Sequence, residues 1–403
     1  MVASDGGALG LYISVPFCRS KCTYCNFASG VYPASEHARY VDRIVADLNA
    51  APAWTQRIGA HLPRCVDTVY LGGGTPSLLA PELLMRLFAA MRANFDFEPD
   101  AEITVECAPG QLSDETLAAL VEAGVNRVSL GVQSFIDRET AVSGRLHNCS
   151  VALAEIGRLR AAGIANFSVD LIAGLAGQSL ASWEESLAVL AGCGAPHASI
   201  YMLEVDEDSR LGRELLAHGA RYHAELVPAE DSIAQMYERA IAALRQAGLE
   251  QYEISNFSRP GMESRHNLRY WQRRPYLGLG LDASSMLRAA MPDPDGSRRV
   301  LRTTTSSDLK AWMESGEPIE SVWLSLARQH EEAWFLGLRL NEGVNVAALE
   351  REFGPEMVKP ALDAAAEMIA SGLLLADGKT LRLSAQGRLL SNSVFQEFLE
   401  LVS

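Results

Sequence analysis

From residue 11 to about 204, short apolar or β-branched runs alternate with longer stretches of helical period. The strand candidates are LYISV (11–15), VDTVYL (66–71), AEITVE (101–106), VNRVSLGV (125–132), NFSVDLIA (166–173) and HASIYML (197–203). Helical patterns lie between them near 36–50, 81–94, 113–122, 150–162 and 181–192. SDET (113–116) has the form of a helix start, and Gly124 and Gly163 stand where a helix-ending glycine belongs. Six β–α units in succession predict a parallel sheet with right-handed crossovers. An open doubly wound sheet and a full or partial (β/α) barrel both satisfy this pattern, and periodicity alone does not separate them.

The rhythm breaks after residue 204. A helix is expected over 230–248 with Gly248 as its stop, then a strand-like YEISNF (252–257), a basic and aromatic stretch, and a turn at DPDGS (293–297). From about 325, helical patterns lead into a two-stranded GLLLADGKTLRLS, which predicts a small winged-helix-like module. The expected division is therefore a barrel over 1–204, an extension over 205–320 and a C-terminal domain over 321–403.

The chain has 403 residues, enough for one large α/β domain and a smaller one. A formal charge of −15 argues against a general nucleic-acid binder and against an anionic membrane surface. No apolar run approaches the roughly 20 residues of a membrane span. The start MVASDGGALG shows neither the basic nor the apolar region of an export signal. Seven cysteines, an odd and sparse set, suit a reducing cytoplasm better than a disulfide framework.

Three of those cysteines fall within eight residues, at Cys18, Cys22 and Cys25 in CRSKCTYC. Structural zinc sites take four ligands, and no further Cys or His follows closely. A [4Fe–4S] cluster on three thiolates leaves one iron open to another ligand. A zinc site completed from a distance, or three unrelated thiols, are the alternatives. Cys65, Cys107, Cys149 and Cys193 are scattered singly, as small packing residues are. LGGGTPSLL (71–79) follows the second strand and lets backbone approach a ligand closely, but it is neither a Walker A loop nor G-x-G-x-x-G. Glu106, Gln133, Arg145, His147 and Asp170 sit at or near strand ends, where a barrel gathers its active site. A structural hydrogen-bonding role is the alternative for each of them.

The cysteine triplet, with Tyr24 before Cys25, resembles the signature of the radical S-adenosylmethionine (SAM) superfamily. That likeness implies a [4Fe–4S] cluster on Cys18, Cys22 and Cys25 whose open iron is chelated by SAM. One electron from the cluster then splits SAM to methionine and a 5′-deoxyadenosyl radical. LYISVPFC, LGGGTPS, GVQSF, GRLH and DLIAGLAGQ together resemble the HemN-related branch. By that resemblance Tyr12, Tyr24, Gly73, Gly74, Thr75, Glu106, Gln133, Arg145 and Asp170 are expected to contact SAM, with Met202 lining the same pocket. The implied fold is α/β, a partial (β/α)6-type barrel with a small C-terminal helical or winged domain.

Two features separate the branch's oxygen-independent coproporphyrinogen III dehydrogenases from its HemW-type heme chaperones. The dehydrogenases carry a fourth cysteine where this chain has Phe27, and an extension ahead of the first strand where this chain has about ten residues. SRHNLRYWQRRPYLGLG (264–280) holds Arg265, His266, Arg269, Arg273 and Arg274 with Tyr270, Trp271 and Tyr276 and no acid. Such an island suits a flat, dianionic aromatic ligand, and a solvated loop with packed aromatics is the alternative. HNLRYW resembles the H-N-x-x-Y-W motif of HemW-type proteins, which implies heme binding at His266 and transfer of heme to an acceptor protein. The family's small histidine-containing run after this segment is replaced here by GLGLDASSML (278–287). The other reading is oxidative decarboxylation of coproporphyrinogen III.

Overall fold

The computed structural model describes residues 7–204, 206–207, 209–293, 299–314 and 320–399. The first six residues and most of the DPDGS turn lie outside the described residues. Six strands form the centre: β1 (Leu9–Val15), β2 (Cys65–Gly73), β3 (Asp96–Cys107), β4 (Arg127–Gln133), β5 (Asn166–Ala173) and β6 (His197–Met202). All pair in parallel and stand side by side in chain order. Successive right-handed crossovers that always step the same way put every helix on one face and curl the sheet. A doubly wound sheet would reverse its order part-way. The fold is thus the partial barrel, and the ambiguity left by periodicity is resolved.

The crossovers carry α1 (Ala34–Ile58), α2 (Pro81–Asn94), α3 (Asp114–Glu122), α4 (Asp137–Val142), α5 (Cys149–Ala161) and α6 (Leu180–Gly192). Five of these match the helical patterns of the sequence, and α4, one and a half turns long, is too short to show a period. The first helix runs well past its expected end, through Pro52, because Ala51 and Thr55 beyond the expected stop are buried against the sheet. That burial outweighs the hydrogen bond a helical proline removes.

The barrel does not close. β6 is followed at its edge by the antiparallel strand Asn256–Ser258, and β1 by the parallel strand Tyr276–Leu279. Strands Ser284–Ala289, Val300–Thr304 and Glu320–Leu324 continue from there as antiparallel neighbours. The 205–320 segment therefore supplies strands to both edges of the sheet. HNLRYW lies on a short helix, α7 (Arg265–Trp271), whose start is capped by Ser264 accepting from the Asn267 N–H. This stretch, for which the sequence predicts no regular element, is thus helical and packs on β2 and β3 through Thr68 and Glu102.

The last part of the chain packs around its own core. Helices Leu326–Leu338, Val346–Phe353 and Pro355–Ala370 enclose Trp334, which stacks on Phe398 at 5.0 Å between ring centres. The expected pair Leu374–Asp377 and Thr380–Leu383 gains a third short strand, Val344–Asn345, in the manner of a wing. Among the described residues no helix is long and apolar enough to cross a membrane.

Alternation along the six strands sorts two chemistries. Leu11, Val69, Val105, Val128, Val169 and Ile200 face the helices and are fully buried. The intervening residues face the lumen, and nearly all are polar. Arg269 closes the lower end. Its guanidinium pairs with Asp67, donates to the carbonyls of Ala8 and Pro275 at 2.8 Å each, and reaches Thr68 Oγ1 at 3.2 Å. A Cβ on Gly10 would lie 2.5 Å from the Arg269 side chain, so β1 needs glycine there. Asp67→Asn leaves this cation buried without its countercharge. A loss of about 3–5 kcal/mol is expected in urea unfolding, and a change below about 1 kcal/mol would show that Arg269 does not depend on Asp67.

Candidate site at the barrel mouth

The cysteine loop leaves β1 and is tied off by its own backbone. Cys18 N–H donates to Gly30 O at 2.9 Å and Gly30 N–H to Pro16 O at 2.8 Å. Its middle is pinned from two sides: Thr23 N–H donates to Ser143 O at 3.1 Å, and Leu211 N–H to Thr23 O at 2.9 Å. Cys18, Cys22 and Cys25 are free, partly buried thiols that line one cavity of about 840 Å³. Arg145 Nη1 lies 3.5 Å from Cys22 Sγ, Thr75 Oγ1 lies 4.0 Å from Cys18 Sγ, and Ser29 Oγ lies 3.8 Å from Cys25 Sγ. Cys107 also borders the cavity, but its thiol is buried and its pKa pushed up to about 12.

The glycine run closes against this loop. Gly74 N–H donates to Val15 O at 2.9 Å, and a Cβ there would lie 2.8 Å from that same oxygen. Gly73 has φ +98° and offers its N–H to Glu106 Oε2 at 3.1 Å. Gly73, Gly74, Thr75, Glu106, Gln133 and Arg145 all line the cavity, together with Tyr24, Asp170 and Met202. Gln133 reaches it through a left-handed backbone at φ +70°. Arg145 spends a second donor on Gly131 O, so it spans β4 and the cysteine loop.

Two carboxylates form the floor. Glu106 Oε1 accepts from Tyr70 OH at 2.9 Å, and burial raises its pKa to about 7. Asp170 accepts from Ser129 and Ser168 at 2.8 Å each, and burial still raises its pKa. Tyr12 does not line the cavity. It stands a layer deeper, 6.2 Å from the Tyr70 ring. His147 turns away, its Nε2 3.1 Å from Val132 O, and burial lowers its pKa to about 4.

A family model for the radical SAM superfamily matches residues 12–190, and one for the HemN C-terminal domain matches 324–390. The chain is 33% identical over 388 residues to the heme chaperone HemW of Lactococcus lactis, covering 96% of each. It is 32% identical over 395 residues to the heme chaperone HemW of Escherichia coli, covering 97% of this chain and 98% of that one. The chain belongs to the HemW family of the radical SAM superfamily. Among solved structures, the coproporphyrinogen III oxidase HemN of Escherichia coli aligns with a TM-score of 0.82 at 23% identity, over 98% of this chain and 91% of its own. That likeness shows the shared fold.

The segment resembling the HemW-type motif lies apart from the cavity. His266 is fully buried, with Nδ1 2.9 Å from Thr68 Oγ1 and Nε2 2.9 Å from Tyr270 OH. Neither nitrogen faces an open space, and burial together with the charge of Arg127 lowers its pKa to about 3. The positive island is neutralised by acids from elsewhere in the chain. Arg269 and Arg274 share Asp67, Arg273 pairs with Glu352 at 2.7 Å, and Arg265 reaches Asp100 at 3.6 Å. These acidic partners are invisible in a local stretch of sequence, where the arginines read as an island without acids.

Arg339 and Leu389–Ser393 complete the cavity wall from the C-terminal domain. No local motif marks them, since only the docking of that domain brings them over the barrel mouth. Among the described residues no three His, Cys, Asp or Glu side chains converge as one metal ion would require. Thiolates on a single zinc must all lie about 2.3 Å from one point, whereas a four-iron cluster spreads its thiolates over separate irons. Three thiols on one roomy cavity fit the cluster.

Because burial raises the Glu106 pKa above its ordinary 4.5, the group favours folding below that pH and loses this contribution as pH rises through about 7. Glu106→Gln stays neutral. Its melting temperature should therefore gain on wild type between pH 5 and pH 8 in ligand-free protein. A gap constant across that range would show that Glu106 does not titrate in the folded state.

Proposed function

We propose that the chain is a heme chaperone that holds a [4Fe–4S] cluster on Cys18, Cys22 and Cys25, binds SAM in the adjoining cavity, and passes heme to an acceptor protein. The observation that carries the cofactor part is the convergence of three thiols, a glycine run and two partly buried carboxylates on one cavity. When bound, the cluster supplies a single electron to SAM. The cysteine loop holds the thiols in place before any metal arrives, since backbone hydrogen bonds tie both its neck and its middle. The Gly73–Thr75 edge and Glu106 would receive the amine of SAM, and Asp170 and Gln133 its remaining polar groups. Tyr24 and Met202 supply apolar wall, and Tyr12 supports the floor from below.

Heme as cargo rests on the likeness to the chaperones of Lactococcus lactis and Escherichia coli. Phe27 favours this over coproporphyrinogen oxidation. It stands 62% exposed on the cavity rim, an apolar residue where the dehydrogenases are expected to carry a fourth cysteine. Heme ligation by His266 requires α7 to move, because both imidazole nitrogens are engaged and no face of the ring is open.

Two measurements test the reading. Cys22→Ala should remove the brown chromophore and most bound iron and sulfide after anaerobic reconstitution, and iron and sulfide unchanged from wild type would end the cluster assignment. Hemin titrated anaerobically into wild type should give one saturable Soret transition that collapses in His266→Ala. Equal binding by both proteins would keep heme and discard His266. No specific binding by wild type would remove the chaperone reading and direct attention to coproporphyrinogen III turnover.

A further inference from the structure

Directly beneath the cavity floor lies a buried cation with two open donors. Arg127 opens β4 and is 1% exposed, and neither its Nε nor its Nη2 has a hydrogen-bond partner. Its in-register neighbours are Thr104 on β3 and Asn166 on β5. Thr104 Oγ1 and Asn166 Oδ1 are also buried and unpartnered. Two donors and two acceptors thus stand open in one layer across three adjacent strands. Leaving such groups dry is costly, whereas one ordered water takes two to four such partners.

Nearer the mouth, the next layers hold the two floor acids. Glu106 is in register with Ser129, and Asp170 with Gly131. Their partners are neutral: hydroxyls of Tyr70, Ser129 and Ser168 and the Gly73 N–H. Two adjacent, partly buried carboxylates repel, and neither has an ion pair among the described residues.

The surrounding groups supply no positive charge. On β1 and β2, Tyr12 and Tyr70 are held neutral by burial. On β6, His197 is bonded at both nitrogens, to Ser168 and to Tyr252, and is held neutral by burial. From α7, His266 is neutral and Tyr270 stays protonated. On β3, Glu102 accepts the N–H groups of Arg265 and His266. On the mouth side, Arg145 is engaged with Cys22 and Gly131, and at the lower end of the barrel Arg269 is engaged with Asp67.

We propose that Arg127 is a positioning residue whose guanidinium, through ordered water in the layer of Thr104 and Asn166, is the countercharge that keeps Asp170 and Glu106 ionised for a cationic ligand. This rests on the reading of the cavity as a SAM site. At the floor, two carboxylates and one guanidinium leave one negative charge, the complement of SAM, whose ammonium, sulfonium and carboxylate sum to one positive charge.

The test is SAM affinity by calorimetry on reconstituted protein from about pH 6 to pH 9, for wild type, Arg127→Gln and Arg127→Lys. In Arg127→Gln the pH of half-maximal affinity should rise by about one unit, a tenfold weakening on the acid side. Arg127→Lys should recover most of it. A profile superposing on wild type, a loss uniform across pH, or a lysine variant no better than glutamine would each overturn the inference. Should the variants fail to fold, a high-resolution crystal structure of wild type decides. Water linking Arg127 to Asp170 supports the role, and a dry layer or a direct ion pair refutes it. Wild type that binds no SAM would overturn the cavity reading and this role together, whereas binding with an unshifted profile overturns this role alone.

Discussion

Six parallel strands cover one face with helices and turn the other onto a polar lumen, and the remaining architecture answers to that choice. Parallel strands buried on both faces usually read as continuous apolar runs, because neither face offers polar partners. Here nearly every second residue is polar and many are buried, so most must find partners across the lumen. Arg269 shows the solution at the lower end, where one guanidinium ties Asp67, Thr68 and the backbone at Ala8 and Pro275 into a plug. Asp170, Ser168, His197 and Tyr252 form a second continuous chain of hydrogen bonds. The polar lumen is also what makes the mouth chemically useful, since the same alternation that seals the base presents Glu106 and Asp170 at the top.

The cysteine loop complements this frame. Beyond Phe17 and Ala28, which pack on the core, the loop carrying the three thiols has little apolar surface to bury, so backbone hydrogen bonds fix its position. It is closed at its neck between Pro16 and Gly30 and held at Thr23 between the Ser143 carbonyl and the Leu211 N–H. The ties at Thr23 come from segments more than a hundred residues away in sequence, which places the thiols by the tertiary fold rather than by the loop's own turns. Preorganisation of this kind lowers the ordering cost of binding a cofactor.

Much of the barrel was legible because its signals are local. Short apolar or β-branched runs marked each of the six strands, and the helical pattern over 81–94 coincides with α2. The cysteine triplet and the glycine run were visible for the same reason, as short spacings that a linear reading resolves. What failed to show depends on contacts distant in sequence. The arginines of 265–274 looked like a free basic patch because Asp67, Asp100 and Glu352 are far off along the chain. The helix α7 spans under two turns, too few for a period. Arg339 and Leu389–Ser393 reach the cavity only through domain docking, and Pro52 lies within a helix that packing, rather than propensity, sustains.

The burial of His266 sets a definite mechanical requirement on heme binding at that residue. Freeing its Nε2 breaks the bond to Tyr270 on the same helix, and freeing Nδ1 breaks the bond to Thr68 on β2. The helix cannot shift alone, because Trp271 at its end lies beneath the Arg339 guanidinium, 4.2 Å from the ring centre. Arg339 in turn borders the cysteine cavity. Trp271 Nε1 and Arg339 Nε are both buried without a partner, so this contact is held by stacking rather than by hydrogen bonds. Opening the motif helix therefore disturbs the wall of the cofactor cavity. A ligand that favours one arrangement of that wall must, by linkage, favour the corresponding state of His266.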